Sequence, residues 1–256
     1  LNINPRPPRT LASLAYAAAM FGLTAYSGSV QPVMLAAVIW LPPCEAAPRP
    51  LRVGYCNFRA GGKAGAGGRG AREAKIKFLL AQIEMLGIAV LVMVEVWGTR
   101  TSMQPLRDRF REEAGMESRA KEGPSDGQQR VGGIIILWKA NRFKVGPAPL
   151  LPMQLNGEDG ISNRGNGGHV SITPRGWDQP LTVVGAYGPQ NGTEKVTFIA
   201  SLKELLAGLD THFIMTGDLN GVVDRSHLAH PRDLRTDERD LAAMLGVGTD
   251  DDSSDS

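Results

Sequence analysis

Asp218 and Asn220 stand two residues apart in Gly217-Asp218-Leu219-Asn220, directly after the run Phe213-Ile214-Met215-Thr216. Side chains of an extended chain alternate between faces, so this spacing predicts a carboxylate and an amide on one face at the end of a strand. Both could then reach one substrate atom or one metal-bound water, which is what cleavage of a phosphoester requires. Three further apolar runs end in a polar group. Asn57 closes residues 51–57 (LRVGYCN), Glu95 closes 88–95 (IAVLVMVE), and Tyr187 closes 181–187 (LTVVGAY) ahead of Gly188-Pro189. Ligand sites of open α/β sheets lie beyond the carboxyl ends of strands, so four such ends converging predict one candidate site.

The elements that must position these groups alternate in type. Residues 73–86 place Ile76, Leu79, Leu80, Ile83 and Leu86 on one helical face, as a crossover helix between the first two strands should. Residues 104–114 read as a short charged helix and 121–130 as a polar loop. Strands at 131–138 and 169–173 follow, with a turn at Pro174-Arg175-Gly176. An amphipathic helix at 193–209 carries Val196, Ile199, Leu202, Leu205 and Leu206, and 237–245 reads as a last helix.

The ordered set Asn57, Glu95, Val131-Gly132-Gly133 opening a strand to Trp138, Tyr187 with Pro189, and Gly217-Asp218-Leu219-Asn220 resembles the endonuclease/exonuclease/phosphatase superfamily. Within it the resemblance is closest to the apurinic-type endonuclease domain of non-LTR (long interspersed) retroelements, and it covers residues 51–248. The resemblance implies an α/β fold, a two-layer β-sandwich flanked by helices in four layers, α/β/β/α. It also implies divalent-metal-dependent hydrolysis of phosphodiesters, with nicking of DNA as the first reading. On that reading Glu95, with Asn57 beside it, would place one Mg²⁺ or Mn²⁺, which keeps much of its hydration and takes few protein carboxylates. Asp218 would orient or deprotonate the attacking water, Asn220 would hold water and phosphate in line, and Tyr187 would donate to the developing phosphorane oxygen. Two other readings stay open: a phosphatase of the same superfamily acting on a small or lipid phosphoester, and a catalytically dead remnant that binds nucleic acid.

The chain departs from the family pattern in two places. Val94 and Val96 flank Glu95 where the family commonly has Gln and Thr. The family's final Ser-Asp-His has no counterpart, since Ser253-Ser254-Asp255-Ser256 follows no strand and precedes no histidine. The expectation is a domain truncated at its C-terminus, with an unpaired sheet edge and weakened catalysis.

Composition bounds the rest. A chain of 256 residues with 42% hydrophobic content can bury a sizeable core and is not a disordered segment. The predicted domain is 51–249, preceded by a leader at 1–50, disordered or apolar and outside the domain, and followed by an acidic tail at 250–256. Net charge is +2 overall, and setting aside leader and tail leaves 25 basic against 21 acidic residues, a surplus that suits an anionic polymer such as DNA. The charge-free stretch 11–41 is split at Ser27, Gly28, Ser29, Gln31 and Pro32 into runs shorter than the ~20 residues of a membrane helix. No stable membrane association is expected, although Arg6 and Arg9 ahead of an apolar stretch leave a signal segment open. Cys44 and Cys56 lack zinc spacing, which points to a reduced intracellular setting, for a monomer or a part of a larger polyprotein.

Blander readings accompany these. Asp218, Asn220 and Asn57 are also turn-forming residue types, and Tyr187 could be a core aromatic with a satisfied hydroxyl. Gly65-Ala66-Gly67-Gly68-Arg69-Gly70 formally matches a dinucleotide-binding loop, but seven residues, Phe58 to Ala64, separate it from Asn57 where such a turn follows its strand at once. His169, His212, His227 and His230 have no spacing that defines a site.

Overall fold

Seven consecutive residues of VLVMVEV are buried in Val90–Val96, a pattern possible only for a strand covered on both faces. A computed structural model of the chain describes residues 34–39, 51–58, 66–96, 100–122, 132–145, 151–152, 166–177, 179–189, 192–209 and 212–220. Among them are strands β1 (Met34–Ile39), β2 (Leu51–Asn57), β3 (Val90–Val96), β4 (Met116–Lys121), β5 (Gly133–Lys139), β6 (Phe143–Val145), β7 (Leu151–Pro152), β8 (Asn166–Pro174), β9 (Leu181–Tyr187) and β10 (His212–Asp218). The helices are α1 (Ala66–Leu86), α2 (Arg100–Ala114) and α3 (Gly192–Gly208).

The strands form two sheets, ordered β1-β2-β3-β5-β4 and β10-β9-β8-β6, with β7 paired to β8. β2 and β3 run parallel, joined by α1 as the crossover, and β9 and β10 run parallel, joined by α3. Val53, Val92, Val94, Ile134, Ile136 and Trp138 of the first sheet meet Val170, Ile172, Leu181, Val183 and Ile214 of the second in one apolar layer. The outer face of the first sheet, through Leu91, Met93, Ile135 and Leu137, packs on Ile76, Leu79 and Ile83 of α1 and Leu106 and Phe110 of α2. The outer face of the second, through Val184, Ala186 and Met215, packs on Phe198, Ile199 and Leu202 of α3. Two stacked sheets with helices on both outer faces make the four-layer α/β/β/α architecture expected from the sequence. No helix among the described residues is long and apolar enough to cross a membrane.

Several boundaries differ from the sequence reading. Met34–Ile39 falls in the stretch assigned to a leader outside the domain, yet it pairs antiparallel with residues 51–56 of β2 and becomes an edge strand. These six apolar residues extend the sheet by one strand. Helix α1 begins at Ala66 rather than at residue 73. Once a helix is nucleated each added residue contributes a hydrogen bond, which offsets the roughly 1 kcal/mol cost of each glycine. Gly67, Gly68 and Gly70 therefore lie inside a helix and not in a phosphate-cradling turn. β4, β6 and β7 were not read from the sequence. The expected helix at 237–245, the acidic tail, His227, His230 and most of the loop 121–130 lie outside the described residues.

Candidate active site

Glu95 reaches the site through a break in alternation. Val90, Val92 and Val94 face the second sheet, while Leu91, Met93 and Val96 face the helices. Regular alternation would put Glu95 beside Met93, against the helices. The pairing of β3 with β5 instead shifts register between Met93 and Val96, and Glu95 takes φ 54, the left-handed region. A bulge of this kind re-aims one side chain, here toward the second sheet. A non-glycine residue in this conformation costs roughly 1–2 kcal/mol, which the surrounding structure must hold in place. Gly132 makes room for it, because a Cβ there would lie 2.2 Å from the Glu95 Cα.

Across the sandwich, the Tyr187 hydroxyl donates a short hydrogen bond to Glu95 Oε1. Glu95 is only 7% exposed, and its Oε2 is buried with no hydrogen-bond partner. Leaving such an atom unmatched costs about 1–3 kcal/mol, more for a charged group, so the geometry is that of a carboxylate set to hold a cation or a donor. Burial first, then the bond to Glu95, pushes the Tyr187 phenol well above its ordinary value, so it stays a neutral donor.

Asp218 ends β10 and is tied to three elements. Its Oδ2 accepts from Asn57 Nδ2 at 3.3 Å, linking the ends of β10 and β2, and its Oδ1 accepts from the Asn220 backbone N–H at 2.9 Å. Its carbonyl accepts from the Gly188 N–H at 2.7 Å. Asn220 does not share a strand face with Asp218, as alternation suggested. β10 stops at Asp218, and Asn220 sits beyond it at φ 51, in a turn closed by the Asp218 side chain. The turn-forming reading of Asp218 and Asn220 is what this hydrogen bond shows. The Asn220 side chain donates to the Gly188 carbonyl at 2.6 Å. Gly217 is required by contact, since a Cβ there would stand 1.8 Å from the Ala186 carbonyl oxygen.

The structure thus brings together all five residues named from the sequence, Asn57, Glu95, Tyr187, Asp218 and Asn220. Two others were missed. Lys195, in the first turns of α3, is 1% exposed and donates to the Asn220 carbonyl at 2.5 Å. In sequence it looks like the polar face of an amphipathic helix. Tyr55 lies in the inter-sheet layer with a buried hydroxyl that has no partner. Burial first, then the negative charge of Asp218, push its phenol far up. No group of three or more His, Cys, Asp or Glu that could hold a metal ion forms among the described residues.

No family profile and no curated protein matches this sequence. Solved structures do. A mannosyl-6-phosphatase from Bacteroides thetaiotaomicron is similar over 75% of this chain and 70% of its own, with a TM-score of 0.53 at 13% identity. An endonuclease/exonuclease/phosphatase family protein from the same bacterium is similar over 83% of this chain and 70% of its own, with a TM-score of 0.52 at 13% identity. The fold is that of the endonuclease/exonuclease/phosphatase proteins. ANGEL2, a 2',3'-cyclic phosphatase, aligns with 56% of this chain at 19% identity and a TM-score of 0.46, and the chain spans 43% of its length. In this endonuclease/exonuclease/phosphatase fold, the Asn57–Asp218 and Tyr187–Glu95 bonds show the carboxyl ends of β2, β3, β9 and β10 meeting at one end of the sandwich.

Proposed function

We propose that the chain hydrolyses a phosphoester with the help of one divalent cation, Mg²⁺ or Mn²⁺, held at Glu95 with Asn57 beside it. The observation that carries this is the buried, unpartnered Glu95 Oε2, facing the second sheet beside Tyr187. A bound cation would supply Lewis-acid stabilisation of the phosphoryl oxygens and lower the pKa of an attacking water. Asp218 keeps acceptor capacity on both oxygens, because each carboxylate oxygen has two lone pairs, and it orients that water and takes its proton. Asn220, fixed by three hydrogen bonds, and Tyr187, a neutral donor, face the phosphoryl oxygens as charge develops there.

DNA is the substrate favoured by the motif order from Asn57 to Asn220 and its resemblance to retroelement endonucleases. A phosphatase acting on a small phosphoester is the second reading, favoured by the similarity to a mannosyl-6-phosphatase. Supercoiled plasmid and a sugar phosphate, each incubated with the chain and Mg²⁺, separate the two. The expected result is nicking that EDTA abolishes and that Asp218→Ala reduces by ~10²- to 10⁴-fold, the contribution of a positioned proton acceptor. Turnover of the sugar phosphate alone selects the second reading, and turnover that survives EDTA or Asp218→Ala overturns both.

A further inference from the structure

Behind the Asn57–Asp218 pair lies a second polar layer that the proposed reaction does not use. Tyr55 stands two residues before Asn57 and Thr216 two before Asp218, so each shares the face of its site neighbour. The pairings fix the layer. Tyr55 pairs with Val92, and Thr216 pairs with Gly185. A Cβ on Gly185 would meet Val92 Cγ1 at 2.9 Å, so these four residues stack at one level of the sandwich. Tyr55 is 6% exposed and Thr216 1%, and neither Tyr55 Oη nor Thr216 Oγ1 has a hydrogen-bond partner. Glu95 Oε2, on the strand next to β2, is another such atom. Three unmatched polar atoms on β2, β3 and β10 do not reach one another, so whatever satisfies them is a separate species.

The donor and acceptor count identifies it. A carboxylate oxygen only accepts, whereas a phenol and a threonine hydroxyl each donate and accept. A phosphodiester cannot donate to Glu95, and a bare cation leaves the two hydroxyl protons unmatched. Water does both, and buried waters typically make about three hydrogen bonds to such groups. We propose a fixed water site bounded by Tyr55, Thr216 and Glu95, through which the two hydroxyls hold the Glu95 carboxylate in its cation-binding orientation. The inference rests on the reading of Glu95 as the cation-holding residue. Tyr55 and Thr216 are then positioning residues, acting on the site through Glu95.

Two measurements test this. A high-resolution crystal structure of the metal-free chain should show a water within hydrogen-bonding distance of all three atoms, and a dry or differently bonded Tyr55 Oη overturns the proposal. Tyr55→Phe and Thr216→Val keep shape and remove one hydroxyl each. Outer-shell partners of a metal ligand usually contribute 10- to 100-fold in affinity, so each variant should weaken Mn²⁺ binding by about 10-fold or more, read by electron paramagnetic resonance. The metal-free melting temperature should stay close to that of the parent. A purely structural role predicts the reverse, a lowered melting temperature with unchanged Mn²⁺ affinity. Absence of hydrolysis and of Mn²⁺ binding in the parent chain would count against the reading of Glu95, while the crystallographic water decides this site independently.

Discussion

Replacing Tyr187 by Phe isolates the contact that joins the two sheets at the site. The change removes one oxygen and with it the hydrogen bond that Glu95 Oε1, on a residue 7% exposed, accepts from across the sandwich. A hydrogen bond to a charged group contributes about 1.5–3 kcal/mol. For a chain of this size each kcal/mol moves the melting temperature by roughly 2–4 °C, so Tyr187→Phe should melt about 3–12 °C below the parent in metal-free buffer. A divalent cation bound to Glu95 supplies the missing partner, and the gap should narrow when Mg²⁺ is added. Thermal unfolding followed by circular dichroism, with EDTA in one series and Mg²⁺ in the other, reads both effects. Equal melting temperatures without metal would refute the assignment of the Tyr187–Glu95 bond as a stabilising contact. A gap that Mg²⁺ leaves unchanged would refute Glu95 as the cation's holder.

Gly217→Ala should fail to fold or lose more than about 3 kcal/mol, since its Cβ would stand 1.8 Å from a backbone oxygen that cannot turn away, and expression with urea unfolding checks it. Lys195→Met should lower the hydrolysis rate by about 10-fold, the equivalent of one charge-assisted hydrogen bond, through loss of the hold on Asn220, with substrate KM little changed. Steady-state kinetics beside Lys195→Arg, which keeps the donor, tests that prediction. Burial lowers the Lys121 ammonium from 10.5 to about 8. Between those values the unfolded chain holds a proton that the folded chain has lost, so stability should rise with pH across this window. Urea titrations at both ends of it should show a smaller rise in Lys121→Met.

The polar ends of β2, β3, β9 and β10 were legible because each follows an apolar run that only a buried strand explains. What sequence could not give was how Glu95 and Asn220 arrive. Alternation alone points Glu95 at the helices, and the bulge that turns it inward is written in Gly132, a residue just ahead of β5. Asn220 arrives by a turn, not by strand periodicity. β4 was hidden because MESRAK at a sheet edge needs few apolar residues, and β6 and β7 because three and two residues carry no period. Lys195 and Tyr55 escaped for a common reason. Residue type suggests solvent for a lysine and plain packing for an aromatic, and only the tertiary structure buries their polar atoms beside the site.

The pairing of Met34–Ile39 with residues 51–56 of β2 changes where this domain can be cut. A chain starting at Leu51 would keep every candidate site residue but strip β2 of its neighbour, exposing the backbone donors and acceptors that β1 now occupies. Bare strand edges recruit other strands, so such a shortened protein should self-associate as its concentration rises, while one retaining residue 34 onward should not. Light scattering on the two would show whether a segment that reads as leader is what keeps the sandwich from growing into its neighbours.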